Sequence, residues 1–243
     1  MNNLRNAFPE KTYKELELIM KAFYQNFSEF LIETLKLLTL SSDEGAKFIR
    51  LNENSLKEVN QMARDGKSVV VLSGHNFNWE YCSLLPPILL HQNIVAYKPL
   101  RSNFWEKIIK SMREQHGAIA LDYKMMYLKV RRLQQQGKPT TCWLGLDQRP
   151  RGKNQSILTV NFLNQSTRFL KDIDMITRKM GSHIYFQEMR KTGQWQYEVT
   201  LKLITDKAEE VEEGYILAKY AECLENLIHE NPANWLWSHK RWK

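Results

Sequence analysis

The sequence predicts an α/β protein with a mixed, mostly parallel central sheet flanked by helices and a long amphipathic helix near the N-terminus. Three observations carry this expectation. Short β-branched and apolar runs alternate along the chain with segments of helical period, the pattern of strands joined by helical crossovers. One run, Ser68-Val-Val-Val-Leu72, is apolar without alternation, as in a parallel strand covered on both faces. The 243 residues, 43% hydrophobic and 11% aromatic, suffice for one large core and show no repeat or linker. Residues 1–243 are therefore read as a single domain, with 1–66 as an N-terminal helical segment and 67–243 as the α/β core.

The elements follow in order. After Phe8–Pro9, Thr12-Tyr13-Lys14-Glu15 has the spacing of a capping box. From there Leu16, Ile19, Met20, Phe23, Phe27, Phe30, Leu31, Thr34, Leu35 and Leu38 keep a helical period. A long helix packed on the domain is the first reading, and a helix lying on a membrane is the second. A helix over Ser55–Arg64, closed by Gly66, precedes the apolar run. Further strands are expected at Asn93–Tyr97, Ala118–Leu121, Thr140–Gly145, Leu158–Phe162, His183–Glu188 and Trp195–Ile204. Helices are expected at Trp79–Leu85, Phe104–Gln115, Lys124–Gln136, Thr167–Met180 and Val211–Glu230.

Composition narrows the class. The longest apolar clusters, Val69–Leu72 and Leu84–Leu90, fall short of the roughly 18 residues of a membrane-spanning helix. Three widely spaced cysteines, Cys82, Cys142 and Cys223, point to a reducing compartment without structural disulfides or a zinc site. Lysine and arginine number 35 against 27 aspartates and glutamates, a net charge of +8, which suits an acidic partner. No helix-turn-helix, RNP-type strand or zinc knuckle accompanies that charge, so nucleic acid is not expected.

The chemically informative segment is Ser73-Gly-His-Asn-Phe-Asn-Trp-Glu80, directly after the most strand-like run. In an open α/β sheet, chemistry gathers beyond the carboxyl ends of strands, and Gly74 permits a tight turn there. On a continuous helix, His75 and Glu80 would point about 140° apart and could not touch. With Asn78 as the N-cap, however, His75 lies in the loop and Glu80 in the first turn, from which the carboxylate can reach back to the imidazole. A carboxylate on one ring nitrogen raises the basicity of the other, giving a base without an adjacent serine or cysteine nucleophile. A structural, hydrogen-bonded histidine is the alternative. Metal binding is not expected, because the spacing is not H-E-x-x-H and no second cluster is nearby. Ser73 lacks a nucleophile elbow, and Gly137-Lys138 lacks a P-loop glycine upstream.

The H-x-x-x-x-E of His75 to Glu80, in the form Gly-His-x-x-x-Trp-Glu, resembles the signature of lysophospholipid acyltransferases, in particular their lipid A late (lauroyl/myristoyl) acyltransferase branch. Asn3-Leu-Arg-Asn-Ala-Phe-Pro9, Tyr97-Lys-Pro-Leu100 with Phe104 and Arg113-x-x-x-Gly117, Leu146-Asp-Gln148, and the tail Trp235-Leu-Trp-Ser-His-Lys-Arg-Trp242 resemble further blocks of that branch in order, so the likeness covers nearly the whole chain. Three positions depart from its pattern. Lys98 stands where the branch usually has arginine, Glu80 where the wider family often has aspartate, and no membrane helix precedes the Asn-Leu-Arg segment.

The resemblance implies transfer of an acyl chain from a thioester, on acyl carrier protein or coenzyme A as co-substrate and with no further cofactor, to a hydroxyl of a lipid A precursor. His75 would then be the base and Glu80 its orienting carboxylate. Oxyanion donors would come from backbone N–H groups at the start of the Asn78 helix or from Arg113, which alternatively binds an acceptor phosphate. Asp147 and Gln148, after the strand Cys142–Gly145, become site residues, with Asp147 holding Arg113 or the acceptor. Lys98, and Arg149 with Arg151 and Lys153, are anion-binding candidates or solvated surface. Expected partners are acyl carrier protein, the lipid A precursor or another anionic lipid, and the membrane surface. The tail aromatics mixed with His239, Lys240, Arg241 and Lys243 suit a membrane boundary or a packed terminal segment. The implied place is the cytoplasmic face of the bacterial inner membrane, reached peripherally or through a helix this sequence does not include. Acylation of another lipid acceptor, a thioesterase and a lipid- or carrier-binding module are the alternatives.

Overall fold

The computed structural model describes residues 1–150, 156–180 and 182–242. Arg151, Lys153 and Lys243 lie outside the described residues. A short helix α1 (Asn2–Ala7) leads to α2 (Tyr13–Leu37), which begins on the expected capping box. There the Thr12 Oγ1 accepts from Glu15 N–H at 3.4 Å, and Glu15 Oε2 accepts from Thr12 N–H at 2.7 Å. The elements that follow are α3 (Ser42–Gly45), β1 (Ile49–Leu51), α4 (Glu53–Arg64) and β2 (Val69–Ser73). A 3₁₀ helix, Trp79–Leu84, stands where a helix was expected. Then come β3 (Gln92–Tyr97), α5 (Asn103–Glu114), β4 (Ile119–Asp122), α6 (Met126–Gln135) and β5 (Thr140–Gly145). The chain closes with β6 (Ile157–Phe162), β7 (Gln165–Leu170), α7 (Lys171–Lys179), β8 (His183–Gly193), β9 (Gln196–Thr205) and α8 (Tyr215–Glu230).

Seven strands form one sheet in the order β1-β9-β8-β2-β5-β3-β4. All neighbours are parallel except β8 and β9, which form an antiparallel hairpin, so the sheet is mixed and mostly parallel. The unbroken apolar run of β2 has the expected cause. Val70 and Leu72 sit in an apolar layer with α8 residues such as Leu217 and Leu224, while Val69 and Val71 face a second layer with Val59 of α4 and Met112 of α5. The period-2 alternation of a strand sends successive side chains into two cores, so neither face has a use for polar residues.

Two expectations fail locally. Leu158–Phe162 is a strand, but it pairs only with β7 in a separate antiparallel hairpin. The expected helix Thr167–Met180 is divided, its first residues belonging to β7 and the rest to α7. The long helix forms, but its surface does not separate into an apolar and a polar half. Leu16, Phe23 and Leu37 are buried, whereas Tyr13, Tyr24, Leu31, Ile32, Leu35 and Leu38 are exposed.

The inner side of α2 carries a carboxylate, Glu33, with no exposed surface. It accepts from Asn78 Nδ2 at 2.8 Å and from the Tyr197 hydroxyl at 2.9 and 3.1 Å, tying the helix to both the loop after β2 and to β9. Truncation would strand both donors in the interior, each costing about 1–3 kcal/mol. We expect Glu33→Ala to lower the unfolding free energy by about 2–4 kcal/mol in urea titrations followed by circular dichroism, and Glu33→Gln, which keeps one acceptor, to lose less. Equal midpoints for Glu33→Ala and the unchanged chain would show that water reaches these donors.

Candidate active site

Parallel pairing places Ser73 of β2 opposite Gly145 of β5, so the chain leaves both strands at the same edge and at the same height. His75 and Asp147, each two residues further on, therefore meet. His75 Nδ1 lies 2.5 Å from Asp147 Oδ1, and the His75 backbone N–H donates to Asp147 Oδ2 at 2.8 Å. Gly145 gives the ring its room, since a Cβ there would stand 3.1 Å from His75 Cε1. Gly74 is also required for space: a Cβ would meet Leu224 Cδ1 at 2.5 Å and Asn76 Oδ1 at 2.6 Å. The left-handed residue of the turn is Phe77, at φ 51°. A residue of that kind costs about 1–2 kcal/mol there unless held, and its N–H donates to Asn234 O at 3.0 Å.

Asn234 belongs to a C-terminal strap. Asn76 and Trp235 form an antiparallel bridge, and Leu236 N–H donates to His75 O at 3.1 Å, so residues 234–236 run alongside the loop that bears His75. The strap also enters the site through the buried Trp235, whose Nε1–H donates to Asp147 Oδ2 at 2.7 Å. Tyr220 of α8 adds a hydroxyl donated to Ser73 O at 2.8 Å. The tail is thus a packed segment, with Trp235, Trp237 and Arg241 buried. Sequence reasoning assigned no site role to Trp235 or Tyr220. The signal for Trp235 was its place in the terminal motif, and for Tyr220 there was none.

Glu80 does not bind the imidazole. Its carboxylate is bidentate to Arg113, with Arg113 Nε–H donating to Oε2 at 2.9 Å and Nη2–H to Oε1 at 2.6 Å, and Trp79 Nε1–H adds 3.0 Å. The expected pairings, Glu80 with His75 and Asp147 with Arg113, are therefore exchanged. The cause is topological: adjacency of β2 and β5 delivers Asp147 to His75, while the 3₁₀ helix turns Glu80 toward α5. Asn78 is the residue before that helix as expected, but its side chain serves Glu33 rather than capping. Tyr97 carries the Arg113 guanidinium over its ring at 4.7 Å.

The remaining ring nitrogen of His75 faces outward. Gln148, itself exposed, places Nε2 3.2 Å from His75 Nε2. With Nδ1–H donated to Asp147, Nε2 is the acceptor, which is the tautomer a base requires. Arg149 is half-buried and its backbone N–H donates to His239 Nε2 at 2.9 Å. Lys98 is exposed just beyond β3.

The charges follow the geometry. Burial alone would lower the pKa of His75, but the charge and hydrogen bond of Asp147 outweigh it and hold the imidazole above its ordinary value. Burial would raise Asp147, yet the His75 charge and the donors from His75 and Trp235 bring it down to about 2. Burial would likewise raise Glu80, and Arg113 lowers it below the usual value, so it remains an anion. Burial pushes the Cys82 thiol, on the same 3₁₀ helix, up to about 12, which leaves no thiolate nucleophile there at neutral pH.

An α/β sheet with a histidine–carboxylate pair at its carboxyl edge has the parts of an enzyme that works by moving protons. The family model of the bacterial lipid A biosynthesis acyltransferases matches residues 1–243, and the chain belongs to that family. A search of curated proteins found no match.

Trp235→Phe removes one donor from Asp147 while keeping an aromatic ring. The folded pKa of Asp147 lies below its ordinary 3.8, so its stabilisation is present above pH 4 and is lost as pH falls toward 2. We expect the variant to be less stable than the unchanged chain by about 1–3 kcal/mol near neutrality, with the gap closing in denaturant titrations taken down toward pH 2. A gap that is constant with pH would mean that Trp235 acts through packing alone.

Proposed function

We propose that this acyltransferase moves a fatty acyl chain from an acyl thioester, carried by acyl carrier protein, to a hydroxyl of a lipid A precursor. The observation that carries the reading is the His75–Asp147 pair, in which buried Asp147 holds Nδ1 and leaves Nε2 beside the exposed Gln148. In the reaction, His75 Nε2 takes the proton of the acceptor hydroxyl, which displaces the Gln148 amide from that nitrogen. The oxygen attacks the thioester carbonyl carbon, the carbon–sulfur bond of the resulting tetrahedral oxyanion breaks, and the imidazolium returns its proton to the thiolate. Asp147 holds the ring in the Nδ1–H tautomer and stabilises the imidazolium that forms.

Glu80 acts indirectly in this scheme. It fixes Arg113, whose cation stands beside the loop where it can face the oxyanion or an acceptor phosphate, the two roles expected of it. Lys98 and Arg149 border the same edge and supply cationic contacts to the phosphorylated acceptor or the acidic carrier. Among the described residues no helix is long and apolar enough to cross a membrane. Peripheral attachment at the cytoplasmic face of the bacterial inner membrane fits the lipid acceptor.

The test is transfer of a labelled acyl chain from acyl carrier protein to a panel of lipid acceptors, read by mass spectrometry. His75→Ala should remove the product, and Asp147→Asn should lower the rate by about 10²–10⁴-fold. Because Asp147 raises His75 above 6.5, the rate should climb with pH through a point above that value, and Asp147→Asn should move this limb to lower pH. Free fatty acid released in a His75-dependent manner, without lipid product, would replace this reading by a thioesterase. Turnover that survives His75→Ala would end it.

A further inference from the structure

The turn joining β3 to α5, together with the first turn of α5, holds large apolar side chains in water. Leu100, Phe104 and Trp105 are 45%, 65% and 55% exposed, and the Phe104 and Trp105 rings meet edge-on at 5.3 Å. Lys98, Arg101 and Lys107 stand exposed among them. The nearby carboxylate is already engaged: Glu106 accepts from the Tyr97 hydroxyl at 2.5 Å and from the Leu100 N–H at 2.7 Å. That double contact braces the turn, so the apolar groups are held outward by a clamped backbone. The patch carries three cations, Lys98, Arg101 and Lys107, against the single charge of Glu106.

Location ties the patch to the site. β3 and β2 both flank β5 and run parallel to it, so Lys98 leaves the sheet at the edge that carries His75. Tyr97, immediately before it, supports Arg113, which holds Glu80. The 3₁₀ helix Trp79–Leu84 that contacts α5 also contacts α2, which exposes Leu31 and Leu35, with Leu38 just past its end, at helical spacing along one face.

We propose that the β3–α5 turn seats the protein on an anionic lipid bilayer. Leu100, Phe104 and Trp105 enter the boundary between headgroups and acyl chains, while Lys98, Arg101 and Lys107 meet headgroup phosphates. The sheet edge with His75 is thereby presented to a membrane-borne acceptor, and in this purpose alone the proposal rests on the acyl-transfer reading. Exposed aromatic rings interleaved with cations suit a bilayer boundary better than an acidic protein, for which charge alone would serve. They suit a second copy of the chain poorly, because a symmetric contact would bring like charges together.

Flotation of the full chain with vesicles of phosphatidylcholine, alone or mixed with phosphatidylglycerol, tests the seat without any acyl donor. Binding should be roughly tenfold or more tighter to the anionic vesicles and should weaken as salt is added. The double variant Phe104→Ser/Trp105→Ser should lose roughly tenfold in binding, and Lys98→Glu/Arg101→Glu should abolish the preference for anionic lipid. On acceptor dispersed in detergent micelles, Phe104→Ser/Trp105→Ser should turn over like the unchanged chain, and on vesicle-borne acceptor more slowly. Unchanged vesicle binding by a folded Phe104→Ser/Trp105→Ser protein overturns the proposal. So does a dimer in light scattering that this variant dissociates, or weaker cross-linking to acyl carrier protein with vesicle binding intact. Vesicle binding without acyl transfer would sink the function proposed above and leave the seat standing.

Discussion

The carboxylate of Asp147 is where three separate parts of the chain converge. It follows β5, it receives both the ring and the backbone N–H of the residue that follows β2, and it receives the indole N–H of the C-terminal strap. An anion that is 3% exposed is tolerable only because these donors replace its water, since a buried charge lacking them would take up a proton. The same contacts fix the direction of the imidazole, so one condition, that Asp147 remain ionised, governs both the integrity of the sheet edge and the orientation of the His75 ring. Loss of any donor acts on both.

A second buried carboxyl group, whose pKa burial raises, supports the same loop. Glu33 reaches from α2 to Asn78, the residue from which the 3₁₀ helix starts, and that helix directs Glu80 at Arg113. Neighbouring rings continue the same structure: Phe27 and Phe30 of α2 lie 5.8 Å apart, Phe30 stacks on Trp79 at 4.2 Å, and Trp79 meets the His75 ring at 4.8 Å. The long helix near the N-terminus is therefore part of the support for the site, which the division of the chain into a helical segment and an α/β core does not convey. The loop is held by two carboxyl groups, Asp147 and Glu33, each buried and satisfied by donors from elsewhere in the chain.

How far the sequence could be read depended on where the determining contacts lie. β2 was legible because burial on both faces leaves Val69–Leu72 wholly apolar, and β3 and β5 because each keeps a short apolar run, Ile94–Ala96 and Cys142–Leu144, behind its polar first residues. β1 is three residues long and leaves no pattern. The β6–β7 hairpin was obscured because its turn, Leu163–Asn164, takes left-handed φ values of 51° and 58° without a glycine, and because Phe169, Leu170, Ile173 and Ile176 keep helical spacing across the strand–helix boundary. At the site, His75, Asp147, Glu80 and Arg113 were all identifiable as residues. Their partners were not, because spacing along the chain relates His75 to Glu80 but carries no information that β2 lies beside β5. Trp235 was visible only as part of an aromatic, basic tail whose surroundings the sequence leaves open.

The strap gives the site an order of assembly. His75 and Asp147 are fixed by strands made in the first two thirds of the chain, but the residues that secure their loop, the acceptor Asn234 and the donors Trp235 and Leu236, lie well after them, at 234–236. During synthesis the strands that bring His75 and Asp147 together are made before the segment that secures their loop, so the pair can form first and be secured later. A product that terminates before Trp235 keeps most of the hydrophobic interior yet lacks the clamp on the loop that bears His75.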